Sequence, residues 1–174
     1  MDEGGGGQSE KREEALAFIG LGSNLGDRPA ALAQALASLP AQGVQPRLIS
    51  SLYRTEPVEV VDQGEFLNQV VGCEVEVAPE DLLRVCLAIE RQMGRVRTRE
   101  RGPRTIDLDL LLCGDRVVKE RGLELPHPRM HLRRFVLVPL VEIAPAVRHP
   151  VLHLTAADLL ERCPDRSRVE RLAR

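Results

Sequence analysis

TIDLDLLLC, residues 105–113, reads as a β-strand whose two faces differ in kind. Side chains alternate across a strand, so Asp107 and Asp109 leave one face together while Ile106, Leu108 and Leu110 enter the core from the other. At about 3.3 Å of rise per residue, the two aspartate Cα atoms stand roughly 6.5–7 Å apart. Upstream, residues 79–94 open with Pro-Glu-Asp and set Leu82, Val85, Leu87 and Ile89 along an apolar side, which predicts a helix ending at Gly94. Before it, FLNQVVGCEVEV (66–77) ends in alternation, with Glu74 and Glu76 facing away from Val75 and Val77.

Further upstream, residues 44–53 read as a strand, and residues 55–65, with Pro57 and Gly64, as a loop. ALAFIGL (15–21) is an apolar run suited to a central strand. Asn24 or Asp27 caps the helix after it, with Pro29 in the first turn and Leu32, Leu36 and Leu39 on one side. Strand, helix, strand, strand, helix, strand predicts an α+β fold, a ferredoxin-like antiparallel sheet with helices packed on it.

Downstream of the aspartates, Gly114 and Asp115 turn the chain into a short strand at Val117 and Val118. Prolines bracket Leu125-Pro126-His127-Pro128 and keep it extended. Residues 133–143 read as helical, with Pro139 able to kink or end the helix, and residues 155–163 as a short helix capped by Thr155. The folded domain is expected over residues 15–164. Residues 1–14, glycine-rich and charged, are expected to be a disordered tail, and residues 165–174 a loose charged tail.

A chain of 174 residues, 43% hydrophobic and 29% charged, is that of one soluble domain able to bury a core without disulfides. A net charge of -2 argues against a general nucleic-acid binder. No early run is long and apolar enough for a signal peptide or a membrane span, and the four cysteines (73, 86, 113 and 163) form no CxxC pair. Buried thiols in the cytoplasm are the expectation. The near-neutral average hides six arginines at 91, 95, 97, 99, 101 and 104 against the single acid Glu100, which suggests an anionic ligand of limited size.

A lone pair of aspartates on a strand is more often the solvated side of an amphipathic strand than a site. Beside Arg95, Arg97 and Arg104 it becomes a place for a polyphosphate and for two magnesium ions about 3.5–4 Å apart, whose usual ligands are carboxylate and phosphate oxygens. Gly20 to Gly26 has the spacing GxGxxxG, not that of a dinucleotide fingerprint, and no GxxxxGK[ST] is present, so a P-loop is excluded. A tight turn allowing close backbone approach is the expected role of those glycines. His127 and His131 have zinc-like spacing without a nearby third ligand; His127, fixed between prolines, suits a phosphate contact. His149 and His153 are expected on the surface. Phe18, Tyr53, Phe66 and Phe135 are the only aromatic residues, so a flat ligand has few faces to stack on.

Six ordered segments give the chain a resemblance: Ile19-Gly-Leu-Gly-Ser-Asn-Leu-Gly26, Ser51-Leu-Tyr-Arg-Thr55, Phe66-Leu-Asn68, Gly94-Arg-Val-Arg97, Gly102-Pro-Arg-Thr-Ile-Asp-Leu-Asp109 and Leu125-Pro-His-Pro128. Over residues 15–163 it resembles the 6-hydroxymethyl-7,8-dihydropterin pyrophosphokinases of folate biosynthesis. The resemblance implies transfer of a pyrophosphoryl group from ATP to the hydroxymethyl oxygen of the pterin, leaving AMP. It puts two Mg2+ ions on Asp107 and Asp109, which with Arg95 and Arg104 form the catalytic set. It places Glu90, Arg95, Arg97, Arg104, His127 and Arg133 around ATP. Asn68 and the backbone from Thr55 to Val58 would hydrogen-bond the pterin edge, with Phe66 and Phe135 on its two faces.

Two departures stand out: Arg101 occupies a position that is aromatic in many members, and Leu87 one that can be glutamine. A monomer is expected, with a dimer through the sheet edge as the alternative. Neither a nucleic acid nor a membrane is an expected partner. Two rival readings are another two-metal phosphoryl or nucleotidyl transferase, which leaves Asn68, Phe66 and Phe135 without a purpose, and a regulatory module that binds a nucleotide without turning it over.

Overall fold

β1 (Ala17–Ser23) runs antiparallel to β4 (Phe66–Val75) on one side and to β5 (Asp107–Cys113) on the other. The computed structural model describes residues 16–57, 64–94 and 105–173. β2 (Val44–Ile49) and β3 (Tyr53–Thr55) pair with successive stretches of β4, and β8 (Val169–Arg171) pairs with β3, giving the order β5-β1-β4-β3-β8 with β2 off this path on β4. Helices α1 (Arg28–Ser38) and α2 (Pro79–Gln92) supply the crossovers, and the result is the expected ferredoxin-like sheet. A two-stranded hairpin, β6 (Val118–Glu120) and β7 (Leu123–Leu125), follows β5. The chain then forms α3 (Arg134–Ile143) and α4 (Ala156–Arg162).

The two sheet faces bury different partners. Ala17, Ile19 and Leu21 of β1 and Leu108 and Leu110 of β5 share a core with Leu32 and Ala35 of α1 and Leu82, Cys86 and Ile89 of α2. On the opposite face, Phe18, Val70, Leu111 and Leu112 meet Val136 and Leu140 of α3. A bulge explains why Leu111 and Leu112 share a face: Phe18 pairs with Leu112 but Ile19 with Leu110, so Leu111 is the extra residue. Each fully buried Leu, Ile or Phe contributes about 1.5–3 kcal/mol, so this packing outweighs any local propensity.

The helix ends follow the sequence. Asp27 accepts the N–H of Ala30 at 3.1 Å to cap α1, and Pro79 opens α2 with Glu80 and Asp81 in its positive first turn. Thr155 and Asp158 form a reciprocal capping box on α4. α3 is one helix with Pro139 inside it.

Three expectations are corrected. The strand over residues 44–53 is two strands. The register slips between Pro46 and Leu48, and the Ser50 hydroxyl, rather than a backbone carbonyl, receives the N–H of Val70 at 2.9 Å. The strand from Phe66 ends at Val75. The C-terminal residues expected as a loose tail include β8, which pairs Tyr53 with Arg171 and Thr55 with Val169 and so extends the sheet. Residues 1–14 lie outside the described residues.

The four cysteines are free and buried. Burial pushes the Cys73 and Cys86 thiols up to about 12 and also raises that of Cys113. Among the described residues, no helix is long and apolar enough to cross a membrane.

Candidate functional site

The register of the central strands assembles a row of side chains. Residues directly opposite each other in antiparallel strands share a face. Asp107 pairs with Gly22, Gly22 with Asn68, and Asn68 with Tyr53. One step along, Asp109 pairs with Gly20. Phe66 and Thr55, each two residues from a member of the row, face the same way and oppose each other. Metal-type and pterin-type candidates therefore sit on one sheet face, the face that α3 partly covers. Asp107, Asp109 and Phe66 are each half-buried.

Gly22 is the gap in this row. A Cβ there would stand 2.8 Å from Asn68 Oδ1 and 3.8 Å from Phe66 Cδ1, too close for the former to remain where it is. The close backbone approach expected of the early glycines is real at Gly22, which provides it from within a strand and not from a turn. Asn68 is itself buried, and its Nδ2 donates to Thr55 Oγ1 at 2.7 Å, which turns its oxygen toward Gly22.

Glu90 enters from the other side. It is 4% exposed at the end of α2, and its Oε1 accepts the N–H of Leu108 at 2.9 Å, on the peptide plane between the two aspartates. β5 is an edge strand, so that N–H needs a partner other than a neighbouring strand. Glu90 thus holds the strand that carries the aspartates.

His127 reaches the site from the segment after β7. Its N–H donates to the Leu111 carbonyl at 2.9 Å, which docks the segment on β5. Its Nδ1 accepts the N–H of Arg129 at 3.1 Å, which leaves the proton of a neutral ring on Nε2. Burial, then the charges of Arg133 and Arg129, lower its pKa to about 4, with Asp107 pulling the other way. His127, Arg133 and Asp107 are therefore within electrostatic reach of one another. The guanidinium of Arg133 lies 5.6 Å from the ring centroid of the half-buried Phe135, in cation–π geometry at the start of α3.

Of the remaining candidates, Val58, Arg95, Arg97 and Arg104 lie outside the described residues, as does Arg101. His149 is a correction: it is buried, its Nδ1 accepts the N–H groups of Val151 and Leu152, and its ring is edge-on to His131 at 6.1 Å. His153 has a positive φ of 57° in the turn that His149 closes.

One linkage escaped the sequence reading. Glu142, on α3, accepts the Tyr53 hydroxyl at 2.6 Å and also the Ser51 N–H, tying the helix that carries Phe135 to the strand that carries Thr55. Burial, then the bond to Glu142, pushes Tyr53 up to about 12. Burial works to raise Glu142, but the bonds from Tyr53 and Ser51 and the charge of Arg171 outweigh it and hold the carboxyl below its usual range. The available signal was a single acid in the otherwise apolar stretch FVLVPLVEI.

The chain is 48% identical over 130 residues to a 2-amino-4-hydroxy-6-hydroxymethyldihydropteridine pyrophosphokinase of Methylorubrum extorquens, covering 74% of this chain and 82% of that protein. It is 44% identical over 133 residues to the protein of the same name from Bacillus subtilis, covering 76% and 80%. Against the Folic acid synthesis protein fol1 of Schizosaccharomyces pombe it is 38% identical over 156 residues, but these span 89% of this chain and only 21% of that longer protein. The crystal structure of Plasmodium falciparum HPPK-DHPS, wild type, has the same fold at a TM-score of 0.68 and 16% identity, over 84% of this chain and 44% of that one. Residues 18–145 match the family described as 7,8-dihydro-6-hydroxymethylpterin-pyrophosphokinase, and the chain belongs to that family.

Proposed function

We propose that Asp107 and Asp109 form the metal end, and Thr55, Asn68, Phe66 and Phe135 the pterin end, of one site on a single sheet face. The reaction is that of the family: a pyrophosphoryl group passes from ATP to 6-hydroxymethyl-7,8-dihydropterin in folate synthesis. The observation that carries the assignment is the register row from Asp107 through Gly22 to Asn68, which sets the two ends side by side with a residue lacking a side chain between them.

The donor set fits magnesium. Among the described residues there is no cluster of three or more His, Cys, Asp or Glu that would cage an ion. A carboxylate pair instead leaves coordination positions for phosphate oxygens and water, as magnesium prefers. Two magnesium ions, when bound, supply neutralisation of the phosphate charge and orientation of the transferred group.

The chain's own residues do the rest. His127, neutral, donates from Nε2 to a phosphate oxygen, and Arg133 adds charge beside it; Val58 through its backbone, and Arg95, Arg97 and Arg104 through their guanidiniums, complete the pterin and phosphate contacts by the same reading. Asn68, oriented by Thr55, reads the polar edge of the pterin, and Phe66 and Phe135 hold its faces. The pterin hydroxyl is then placed for direct attack on the β-phosphorus, with AMP as the leaving group. The cysteine thiols at 73 and 86 are buried and held protonated, so neither serves as a nucleophile. Glu90 acts on this site through its bond to β5, and by the same reading lies beside ATP. The same reading makes the enzyme cytoplasmic, supported by four free cysteines of the kind a reducing compartment preserves, and a monomer with a dimer through the sheet edge as the alternative.

The test is to mix purified protein, MgATP and the pterin alcohol and follow AMP and the pterin diphosphate. Stoichiometric AMP is expected. ADP in its place, or no turnover by a folded protein, overturns the reading.

A further inference from the structure

The residues after α4 do more than extend the sheet: they bond to the chain neighbours of Phe135 on one side of the proposed pterin site and of Thr55 and Phe66 on the other. Asp165 Oδ2 accepts the N–H of Arg134 at 3.0 Å, at the first turn of α3 and one residue before Phe135. α3 has no side-chain cap from its own sequence, so this distant carboxylate supplies one at the positive end of the helix. Asp165 is itself held in place, since its Oδ1 receives both the N–H of Ser167 at 2.9 Å and its hydroxyl at 2.6 Å.

Three residues on, Arg168 grips the opposite wall. Its N–H donates to Glu56 Oε1 at 2.7 Å, immediately after Thr55, and its guanidinium donates to Glu65 Oε1 at 3.1 Å, immediately before Phe66. Glu65 also meets Arg54 at 3.6 Å, and its carbonyl accepts from Arg28 at 2.6 Å. β8 then zips onto β3, with Arg54 and Glu170 paired at 2.9 Å and the Leu172 N–H on the Leu52 carbonyl at 2.9 Å.

We propose that residues 165–171 are a positioning brace for the pterin half of the site, with Asp165 setting the helix that carries Phe135 and Arg168 setting the strand ends that carry Thr55 and Phe66. The proposal rests on the pterin assignment made above. None of these brace contacts involves Asp107, Asp109 or His127; Asp165 bonds next to Arg133 as well as next to Phe135, so the brace acts chiefly on the pterin and less on ATP. An exposed ion pair by itself contributes little stability, and Arg168 is exposed. Its effect is on where two pocket residues stand.

The experiment compares Asp165→Ala, Arg168→Ala and the swap Arg168→Glu with Glu65→Arg against the unmodified chain. Arg47→Ala, which breaks the exposed Arg47–Glu74 pair at 3.0 Å elsewhere on the sheet, serves as a control. The readouts are KM for the pterin alcohol, KM for ATP, and direct pterin binding by fluorescence. Asp165→Ala and Arg168→Ala are expected to raise the pterin KM about five- to tenfold, the scale of one lost cap or charged hydrogen bond, with the ATP KM unchanged in Arg168→Ala and changed clearly less than the pterin KM in Asp165→Ala. The swap is expected to recover part of the loss seen in Arg168→Ala, and Arg47→Ala to change nothing. Should Asp165→Ala fail to fold, Asp165→Asn carries the same expectation at smaller size.

Equal changes in both KM values, or none in either, overturn the brace. Phe135→Ala separates the two levels of inference. If it weakens pterin binding while the brace variants do not, only the brace is wrong. If Phe135→Ala leaves pterin binding intact, the pocket assignment falls and the brace with it.

Discussion

Glu90 Oε1 and the Leu108 N–H meet at 2.9 Å, on the peptide between Asp107 and Asp109. The alternation that puts both aspartates on one face turns Leu108 into the core, and the edge position of β5 leaves its N–H to be satisfied by a side chain. Removing that carboxylate leaves a buried donor unsatisfied, at a cost of about 1–3 kcal/mol. Glu90→Ala is expected to lower unfolding stability in urea by about that amount. It should also reduce kcat, because the strand carrying both carboxylates loses its anchor. Glu90→Gln, which keeps an acceptor oxygen, should lose less of each. Equal losses from the two variants would mean that the charge, not the bond, is what matters.

Asp109→Ala is expected to reduce turnover by about a hundredfold or more while the far-ultraviolet circular dichroism is unchanged, since a half-buried carboxylate on an edge strand carries little of the core. Chelation with EDTA should abolish activity and added magnesium restore it. With a pair of carboxylates as its metal ligands among the described residues, the protein alone should bind magnesium weakly, and calorimetry should find the affinity rising sharply once ATP is present.

His127 gives the site a pH signature. Its folded-state pKa, about 4, lies below its ordinary 6.5. A depressed value stabilises the fold fully above 6.5, and the contribution is lost as pH falls from 6.5 through 4. Nitrogen-15 chemical shifts should find the ring neutral at pH 6, with the proton on Nε2. Binding of an ATP analogue should raise the value, because phosphate favours the charged ring. A free-enzyme pKa near 6.5 would remove the basis for a neutral donor.

Gly22→Ala is expected to weaken pterin binding about tenfold, since the new Cβ must displace the Asn68 oxygen from 2.8 Å. Fluorescence titration with the pterin checks this, and ATP affinity should be unaffected.

The Tyr53–Glu142 bond predicts a further pH dependence. Tyr53 is raised to about 12 from 10, so its contribution is complete below pH 10 and lost between 10 and 12. Glu142 is depressed, so its contribution is present above about 4.5 and lost as pH falls below that. Tyr53→Phe should flatten the alkaline limb of a stability–pH curve and lower stability by about 1–2 kcal/mol at neutral pH.

What could be read from the sequence was what is local. Alternation around Asp107 and Asp109 gave the strand and its polar face, and Asp27, Pro79 and Thr155 marked helix starts because caps act within one turn. The break at Ser50 was not legible, because its hydroxyl replaces a ladder bond to a strand 20 residues away. Arg168 was illegible for the same reason at larger scale: Glu56 and Glu65 lie 112 and 103 residues upstream. Charged residues without an apolar period look like a tail until their partners are known. At the site, the row from Asp107 to Asn68 required strand registers that no single strand encodes.

The buried thiols have one further use. Cys73 on β4 and Cys86 on α2 sit in the same core between sheet and helices, and at a pKa of about 12 neither presents thiolate at neutral pH. An alkylating reagent can reach them only when that layer opens, so the rate of their modification is a clock for its breathing. Timed with and without substrates, the clock would register how far the reacting face stiffens the opposite side of the molecule.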